Sequence, residues 1–230
     1  MNKKFLYTCG CSFTNWAELD ANKQWPKLLA DKLDLTCINE GISNGSNYRT
    51  FRKLMNFLKT ANVDETVFVI QFTYPFRFEM QSSKRDHWYR INFNSAKGNI
   101  KTCIHPENGQ LASDSEVSRA VKKMKAKLIN YTEEAEDLEF MMEIMSIINL
   151  LKSKNAEYYL TSLPSITETY HSFQGTEKWI INNYKDSEIC SQYDDSNDPT
   201  WNDFHPSPNG NKEIANAFYK GIIEHRRKEL

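Results

Sequence analysis

A serine that follows a short apolar run near the start of the chain is the first residue that could do covalent chemistry. The run Phe5 to Cys9 leads directly into Gly10-Cys11-Ser12. An apolar run that stops at a glycine is typical of a buried strand that ends in a tight turn. If a helix follows, its free N–H groups face whatever lies beside Ser12. Enzymes of the α/β class present a nucleophile in this way, although a serine at such a junction can also serve only as a helix N-cap.

An acid and a histidine stand close together near the other end of the chain. Asp203 and His205 lie just before Ser207-Pro208, which opens a predicted helix. A serine combined with a late histidine and a late aspartate suits acyl transfer, because the histidine can take the serine proton while the aspartate holds the imidazole in one tautomer. We therefore predict Ser12 as nucleophile, His205 as general base and then acid, and Asp203 as the orienting carboxylate.

Two segments together resemble the SGNH (GDSL-like) hydrolase family, whose first block reads Gly-Asp-Ser-x-Thr and whose last reads Asp-x-x-His-Pro. The matching segments are Gly10-Cys11-Ser12-Phe13-Thr14 and Asp203-Phe204-His205-Pro206. The acid is displaced, because the family spacing puts it three residues before the histidine, where this chain has Asn202. Either a locally shortened loop lets Asp203 serve, which we prefer, or Ser12 and His205 act as a dyad with a backbone carbonyl behind the imidazole.

The resemblance also implies an oxyanion hole that stabilises the charge developing on the attacked carbonyl. The backbone N–H groups of Ser12 and Gly45 match two of the family's donors. The third donor is an asparagine in a Gly-x-Asn-Asp block, and here that block is Gln71-Phe72-Thr73-Tyr74. Thr73 therefore stands where the asparagine would be, with a shorter side chain and one hydroxyl hydrogen. Thr73 could also be an ordinary strand-end residue, in which case Asn47 or Gln71 could supply the donor.

Strands and helices alternate along the first part of the chain. Helical spacing of apolar residues predicts a helix over 25–33, a short strand over 35–39 follows, and a second helix contains Phe51 and Leu54. The almost wholly apolar run Val67 to Phe72 is typical of a central parallel strand. The order β-α-β-α-β favours a doubly wound parallel sheet with its sites at the carboxyl ends of the strands. With the resemblance, this predicts an α/β fold: a three-layer α/β/α sandwich around a mostly parallel, flavodoxin-like sheet.

The later part of the chain is less uniform. Residues 73–132 form the least regular portion, and we predict an elaborated insertion there within a single domain that spans residues 1–230. Its interleaved aromatic and basic residues either line a substrate cleft or form a small hydrophobic cluster under a long loop; the basic ones are Arg77, Lys84, Arg85, His87 and Arg90. A strong helical pattern covers Glu133 to Lys154, and its predicted buried side consists of Leu138, Met141, Met142, Met145, Ile148 and Leu151.

Composition excludes several classes of function. The 230 residues suit one domain, and 29 basic against 30 acidic residues give a net charge of −1, so no nucleic acid or anionic membrane partner is predicted. No window approaches the ~20 apolar residues of a membrane span. Five cysteines and an N-terminus that enters a strand directly predict a reduced, cytoplasmic protein. Cys9-x-Cys11 lacks a second spaced pair, so no metal and no cofactor is predicted.

These observations predict a serine esterase that cleaves an acyl ester of a small molecule or a glycan. An O-acetyl group on a carbohydrate is the preferred substrate, because the aromatic insertion suits a sugar and no long apolar lid suits a lipid. Two alternatives stay open: a lipase or O-acyltransferase of the same family, and a non-catalytic binding or structural module that keeps the fold. The missing asparagine and the displaced acid favour the second alternative. The sequence leaves the oligomeric state open.

Overall fold

The computed structural model describes residues 3–74, 77–82, 88–92, 104–107, 112–129, 132–162, 179–181 and 205–229. Along the chain the elements are β1 (Phe5–Cys9), α1 (Trp25–Leu33), β2 (Thr36–Asn39), α2 (Asn47–Phe57), β3 (Thr66–Phe72), β4 (Arg77–Gln81), β5 (Trp88–Asn92), β6 (Ile104–Pro106), α3 (Asp114–Ile129), α4 (Glu133–Ser153), β7 (Glu157–Ser162), β8 (Trp179–Ile181) and α5 (Pro208–Lys228). Short 3₁₀ turns at Ala21–Lys23 and Val63–Glu65 precede α1 and β3.

A five-stranded parallel sheet with the order β2-β1-β3-β7-β8 forms the centre of the fold. All seven residues of β3 are buried, which explains its continuous apolar run, because a central parallel strand is covered on both faces. Strand β2 lies on one side of β1 and β3 lies on the other, so the direction in which successive strands are added to the sheet reverses at β1. In open α/β sheets a ligand site lies at the carboxyl edge of such a reversal, and Ser12 follows β1 at that edge.

Helices cover both faces of this sheet. On one face α1 and α5 pack against alternate strand residues; this core includes Leu6, Val67, Val69, Tyr159, Trp25, Leu29, Phe218 and Ile222. On the other face α2 and α4 pack against the intervening residues, including Tyr7, Phe68, Ile70, Leu160, Leu54, Ile144, Ile148 and Leu151. The predicted three-layer α/β/α arrangement with a parallel sheet is therefore confirmed.

A second, antiparallel sheet of β4, β5 and β6 lies within residues 73–132, together with α3. Its small core combines apolar residues of the three strands with Ala120 of α3. The segment predicted as the least regular portion therefore contains three strands and a helix among its described residues. A signal for α3 is present, since Ser113 and Glu116 form a capping box in which the Ser113 N–H donates to the Glu116 carboxylate at 3.0 Å.

The predicted buried side of α4 was partly wrong, because two of its residues are exposed. Leu138 and Met142 are 55% and 63% exposed, and the buried stripe consists instead of Phe140, Ile144, Ile147, Ile148 and Leu151. These positions recur every three or four residues and face the sheet, whereas Leu138 and Met142 lie on the adjacent side of the helix. Together with Tyr48 they line a groove of about 390 Å³ between α2 and α4. Among the described helices, none carries an apolar stretch long enough to cross a membrane.

Candidate functional site

The turn after β1 presents Ser12 and is built around a glycine. A Cβ at Gly10 would lie 2.3 Å from Thr14 Oγ1 and 2.9 Å from Gln71 Cβ, so no other residue fits without moving its neighbours. The Thr14 N–H donates to the Cys11 carbonyl at 2.9 Å, and the Thr14 hydroxyl donates to Gln71 Oε1 at 2.7 Å. The first α-helix after Ser12 begins only at Trp25. Ser12 therefore projects from a tight turn and does not cap that helix.

His205 lies directly against this serine. The distance between His205 Nε2 and Ser12 Oγ is 2.8 Å, although the two residues are 193 positions apart in the sequence. The indole of Trp16 stacks on the imidazole with ring centroids 3.7 Å apart and an angle of 17° between the planes. The ring of Phe13 lies 4.9 Å away on a tilted approach. Two aromatic rings from the segment just after Ser12 thus hold the plane of the imidazole.

Asn211, in the first turn of α5, anchors the segment that carries His205. Its Nδ2 donates to the carbonyls of Pro206 and Ser207 at 2.9 and 3.0 Å. Its Oδ1 accepts the backbone N–H of Trp25 at 2.9 Å, one of the free N–H groups at the start of α1. The Trp25 indole in turn donates to the Phe13 carbonyl at 2.7 Å. The Ser12 turn and the His205 segment are therefore both fixed to the start of α1.

Asp203 lies outside the described residues. The choice between Asp203 and a backbone carbonyl as the support of His205 therefore stays a prediction.

The loop between β2 and α2 brings Gly45 against the Ser12 turn. A Cβ at Gly45 would lie 2.6 Å from the Gly10 carbonyl oxygen, so this position needs glycine for packing alone. The Gly45 N–H donates to the Ile42 carbonyl at 2.9 Å and closes a turn in which Asn44 has a φ of 58°. Ser46 then caps α2 by accepting the Arg49 N–H. The Gly45 N–H, which is the predicted oxyanion donor, thus takes part in a turn hydrogen bond.

Thr73 and Asn47 are bound to each other. Asn47 Oδ1 accepts the Thr73 N–H at 2.8 Å, and Asn47 Nδ2 donates to the Thr73 carbonyl at 3.0 Å and to Glu143 Oε2 at 3.1 Å. Both amide hydrogens of Asn47 are thus in use. Gln71 is fully buried, and its Nε2 has no hydrogen-bond partner among the described residues. Thr73 and Gln71 therefore keep donor hydrogens that Asn47 does not.

A cluster of arginines and glutamates joins α2 to the antiparallel sheet. Arg52 binds both oxygens of Glu79 at 2.8 and 2.7 Å and also Glu107, while Arg49 Nε donates to Glu107 at 2.9 Å. Burial raises the pKa of the Glu107 carboxyl, but the positive charges of Arg49 and Arg52 outweigh it and hold the pKa below its ordinary value. Glu107 is therefore ionised at neutral pH.

Two residues predicted for a cleft wall, Arg77 and Arg90, reach the loops described above. Arg77 Nη1 donates to Thr73 Oγ1 at 2.8 Å, and Arg90 donates to the carbonyls of Ser43 and Pro106. The other three basic residues of that prediction lie outside the described residues: Lys84, Arg85 and His87. The antiparallel sheet therefore borders the Gly45 loop and the end of β3.

Sequence reasoning missed the roles of Trp16 and Asn211. Trp16 belongs to no periodic apolar pattern, so the sequence does not indicate that its ring stacks on the His205 imidazole. Asn211 carried a weak signal, because an asparagine in the first turn of a helix often binds nearby backbone groups. The Trp16–His205 stack and the Asn211–Trp25 hydrogen bond do not follow from local sequence, since each joins residues far apart in the chain.

Solved structures with a similar fold include three that match over nearly their whole length. The psychrotrophic esterase EstA from Pseudoalteromonas sp. is 15% identical, with 98% of this chain and 100% of that chain covered and a TM-score of 0.54. A protein placed in the G-D-S-L lipolytic family from Desulfitobacterium hafniense DCB-2 is 10% identical, with coverages of 95% and 99% and a TM-score of 0.53. TesA is 10% identical, with coverages of 95% and 98% and a TM-score of 0.55. No protein-family model matches the sequence, and no curated protein matches it significantly. At these identities the likeness shows the fold, which is that of the SGNH hydrolases.

Proposed function

We propose that the protein is a serine esterase that transfers the acyl group of an ester to water through Ser12. The observation that carries the proposal is the 2.8 Å separation of Ser12 Oγ and His205 Nε2 at the carboxyl end of β1. A serine hydroxyl becomes an effective nucleophile when a base within hydrogen-bond reach can take its proton. The similar fold of the esterase EstA supports the same assignment.

In the proposed reaction His205 Nε2 takes the Ser12 proton as Oγ bonds to the ester carbonyl carbon. The carbonyl π electrons move to the oxygen and give a tetrahedral oxyanion. When this intermediate collapses, the bond to the alcohol oxygen breaks and His205 returns its proton to the leaving alkoxide. A water molecule then gives a proton to His205 and attacks the acyl-enzyme, which releases the carboxylic acid and restores Ser12.

The oxyanion would be held by the backbone N–H groups of Ser12 and Gly45, with Thr73 as third donor. The Ser12 N–H donates to no described group, so it is available to a substrate oxygen. The Gly45 N–H must share its hydrogen between the Ile42 carbonyl and the oxyanion. Because Asn47 has no spare hydrogen, Thr73 and Gln71 are the remaining side-chain candidates. We expect slow turnover of simple activated esters, since a compromised donor costs ~3 kcal/mol of transition-state stabilisation.

We propose an O-acetylated carbohydrate as the substrate. The antiparallel sheet contacts the Gly45 loop through Arg90 and the end of β3 through Arg77, so Trp88 of β5 belongs to a sheet that borders the proposed site. An aromatic ring in such a sheet suits a sugar ring. The same chemistry would serve an O-acyltransferase if a sugar hydroxyl replaced water.

A panel of p-nitrophenyl esters of increasing acyl length tests this function. Wild type should hydrolyse the acetyl ester with the highest kcat/KM, and Ser12→Ala should abolish turnover with an unchanged circular dichroism spectrum. Ser153→Ala, which changes an exposed serine at the end of α4, is the matched control and should keep wild-type activity. Equal, measurable rates in wild type and Ser12→Ala would contradict the proposal, and no turnover by either would favour the non-catalytic binding module.

The role of Asp203 is tested on the same esters. His205→Ala and Asp203→Asn should each cost about 10⁴ in kcat, by analogy with serine hydrolases in general. If Asp203→Asn keeps nearly full activity while His205→Ala is inactive, a Ser12–His205 dyad replaces the triad.

A further inference from the structure

Two buried arginines contact two of the three segments that would hold the oxyanion. Arg77 and Arg90 are only 9% and 7% exposed. Arg77 Nη1 donates to the Thr73 hydroxyl at 2.8 Å, and Arg90 donates to the carbonyl of Ser43, two residues before Gly45. The Gly45 loop and the end of β3, two of the three segments with a proposed oxyanion donor, are therefore each bound by one guanidinium.

These two guanidiniums differ from their neighbours in how their charge is balanced. Arg49 and Arg52 form ion pairs with glutamates. Across the described part of the chain, no carboxylate lies within ion-pair distance of Arg77 or Arg90, and the Nε of each is buried without a hydrogen-bond partner. The ring of Tyr74 beneath Arg77, 5.4 Å from its guanidinium carbon, offsets only part of the cost. A buried cation favours a negative charge that forms beside it, and Arg77 holds such a cation against the Thr73 hydroxyl.

The charges of both arginines act on a neighbouring histidine. Burial and the charges of Arg90 and Arg77 lower the pKa of His105, which therefore stays neutral near pH 7. Burial and the neighbouring Arg49 lower the pKa of Arg90 to about 10 against the opposing charges of Glu107 and Glu79, so its guanidinium remains charged at neutral pH. A negative charge that forms beside these groups meets a field that already exists and needs no rearrangement.

We propose that Arg77, acting through Thr73, replaces the family's asparagine in the oxyanion hole. This inference rests on the proposed esterase function. A guanidinium has no acceptor, so in the contact between them Thr73 Oγ1 must accept. The hydroxyl hydrogen of Thr73 is then directed to another oxygen, and the bound cation polarises the O–H group and makes it a stronger donor. Arg77 is thus a positioning residue that fixes the direction of the Thr73 hydroxyl and adds positive charge behind it.

The position of Thr73 next to the other donors follows from backbone contacts. Asn47 binds both the N–H and the carbonyl of Thr73, which fixes the end of β3 to the start of α2. Gly45, two residues before Asn47, touches the Gly10 carbonyl of the Ser12 turn. The Arg90 contact with Ser43 also holds this loop. All three proposed donors therefore belong to one set of rigidly joined loops.

A double-mutant cycle on kcat tests the proposal. Arg77→Met and Thr73→Val should each lower kcat on the acetyl ester by a factor on the order of 10², with KM little changed, because the oxyanion exists only in the transition state. If Arg77 acts through Thr73, the double variant should be no slower than the slower single variant. Arg77→Lys, which keeps the charge, should retain more kcat than Arg77→Met.

Controls separate this effect from loss of structure. Arg119→Met removes an exposed arginine that contacts the Gln81 carbonyl at the end of β4, and it should leave kcat unchanged. Thermal melting identifies any variant that fails to fold, and Thr73→Ser against Thr73→Val then compares a hydroxyl with none at constant Arg77.

Three results would overturn the inference: wild-type kcat in Arg77→Met, equal kcat in Thr73→Ser and Thr73→Val, or multiplicative losses in the double variant. If wild type shows no turnover that depends on Ser12, the proposed function fails and this inference fails with it. If wild type turns over and Arg77→Met is equally fast, only this inference fails.

Discussion

Replacing Asn211 by alanine should damage both stability and catalysis, because one side chain holds the start of α1 and the segment that carries His205. Asn211 is 5% exposed and makes three side-chain hydrogen bonds: from the Trp25 N–H, and to the carbonyls of Pro206 and Ser207. The Ser207 carbonyl keeps its bond from the Asn211 backbone N–H at 2.8 Å. The alanine variant therefore leaves two groups without partners, the buried Trp25 N–H and the Pro206 carbonyl.

The size of the effect follows from these contacts. A buried donor without a partner costs about 1–3 kcal/mol, and each lost hydrogen bond about 0.5–1.5 kcal/mol. We therefore expect Asn211→Ala to lower the free energy of unfolding by roughly 2–4 kcal/mol, which corresponds to a fall in Tm of roughly 4–16 °C for a chain of this size. Because Pro206 adjoins His205, the imidazole also loses its fixed position, so kcat should fall in the variant that remains folded.

Thermal melting and kcat of three variants test this reasoning. Asn211→Asp keeps the acceptor for the Trp25 N–H but faces two carbonyls with a carboxylate, so it should lose kcat through the His205 segment while keeping the α1 contact. Asn216→Ala, on the same helix and without a described hydrogen bond from its side chain, is the matched control and should change neither quantity. A Tm within about 1 °C of wild type for Asn211→Ala would refute the argument, since one lost buried bond alone should exceed that shift.

Two further variants probe the site and the stability of the fold. Trp16→Leu should lower kcat by a factor of about 5–30, because the stacked indole stabilises by about 1–2 kcal/mol the imidazolium that forms when His205 takes the Ser12 proton. Trp16→Phe should retain most of the activity. Equal kcat in Trp16→Leu and wild type would show that the stacked ring only fills space. Burial raises the pKa of Glu157, but the hydrogen bond and charge of Arg226 bring it below the ordinary value. The ionised Glu157 carboxylate therefore stabilises the folded protein above about pH 4.3, and this stabilisation is lost as the pH falls through the folded pKa. Glu157→Gln should thus lower Tm at neutral pH, and its effect should shrink as the pH falls below about 4.3; an effect that does not shrink with falling pH would contradict this account.

Much of the central fold could be predicted because its signals are local or periodic. The bounds of β1 and α1 coincide with their predicted ranges, and β3 begins one residue before the predicted Val67. Parallel strands buried on both faces give continuous apolar runs, and the Gly10 turn has few alternatives sterically. The proximity of Ser12 and His205 was predicted from two short blocks rather than from periodicity.

The antiparallel sheet and the polar network could not be predicted in this way. Four of the five residues of β4 are buried without regular alternation, because the strand packs against both α2 and α3 and carries Arg77 and Glu79 inside. The ion pairs of Arg49 and Arg52 with Glu107 join positions 58 and 55 residues apart, and no local pattern encodes such a contact. The exposed side of α4 was misjudged because apolar residues occupy two adjacent sides of that helix.

Labelling with a fluorophosphonate probe, followed by peptide mass spectrometry, tests the central claim most directly. Such a probe reacts with an activated serine and leaves a stable adduct, and the similar esterase EstA is inhibited by monoethylphosphonate. We expect one adduct on the peptide that contains Ser12 and none in the Ser12→Ala variant. Labelling of His205→Ala should be much slower than that of wild type, because no base then takes the Ser12 proton. An adduct at another serine with Ser12 unmodified, or equal labelling of wild type and His205→Ala, would contradict the proposed mechanism.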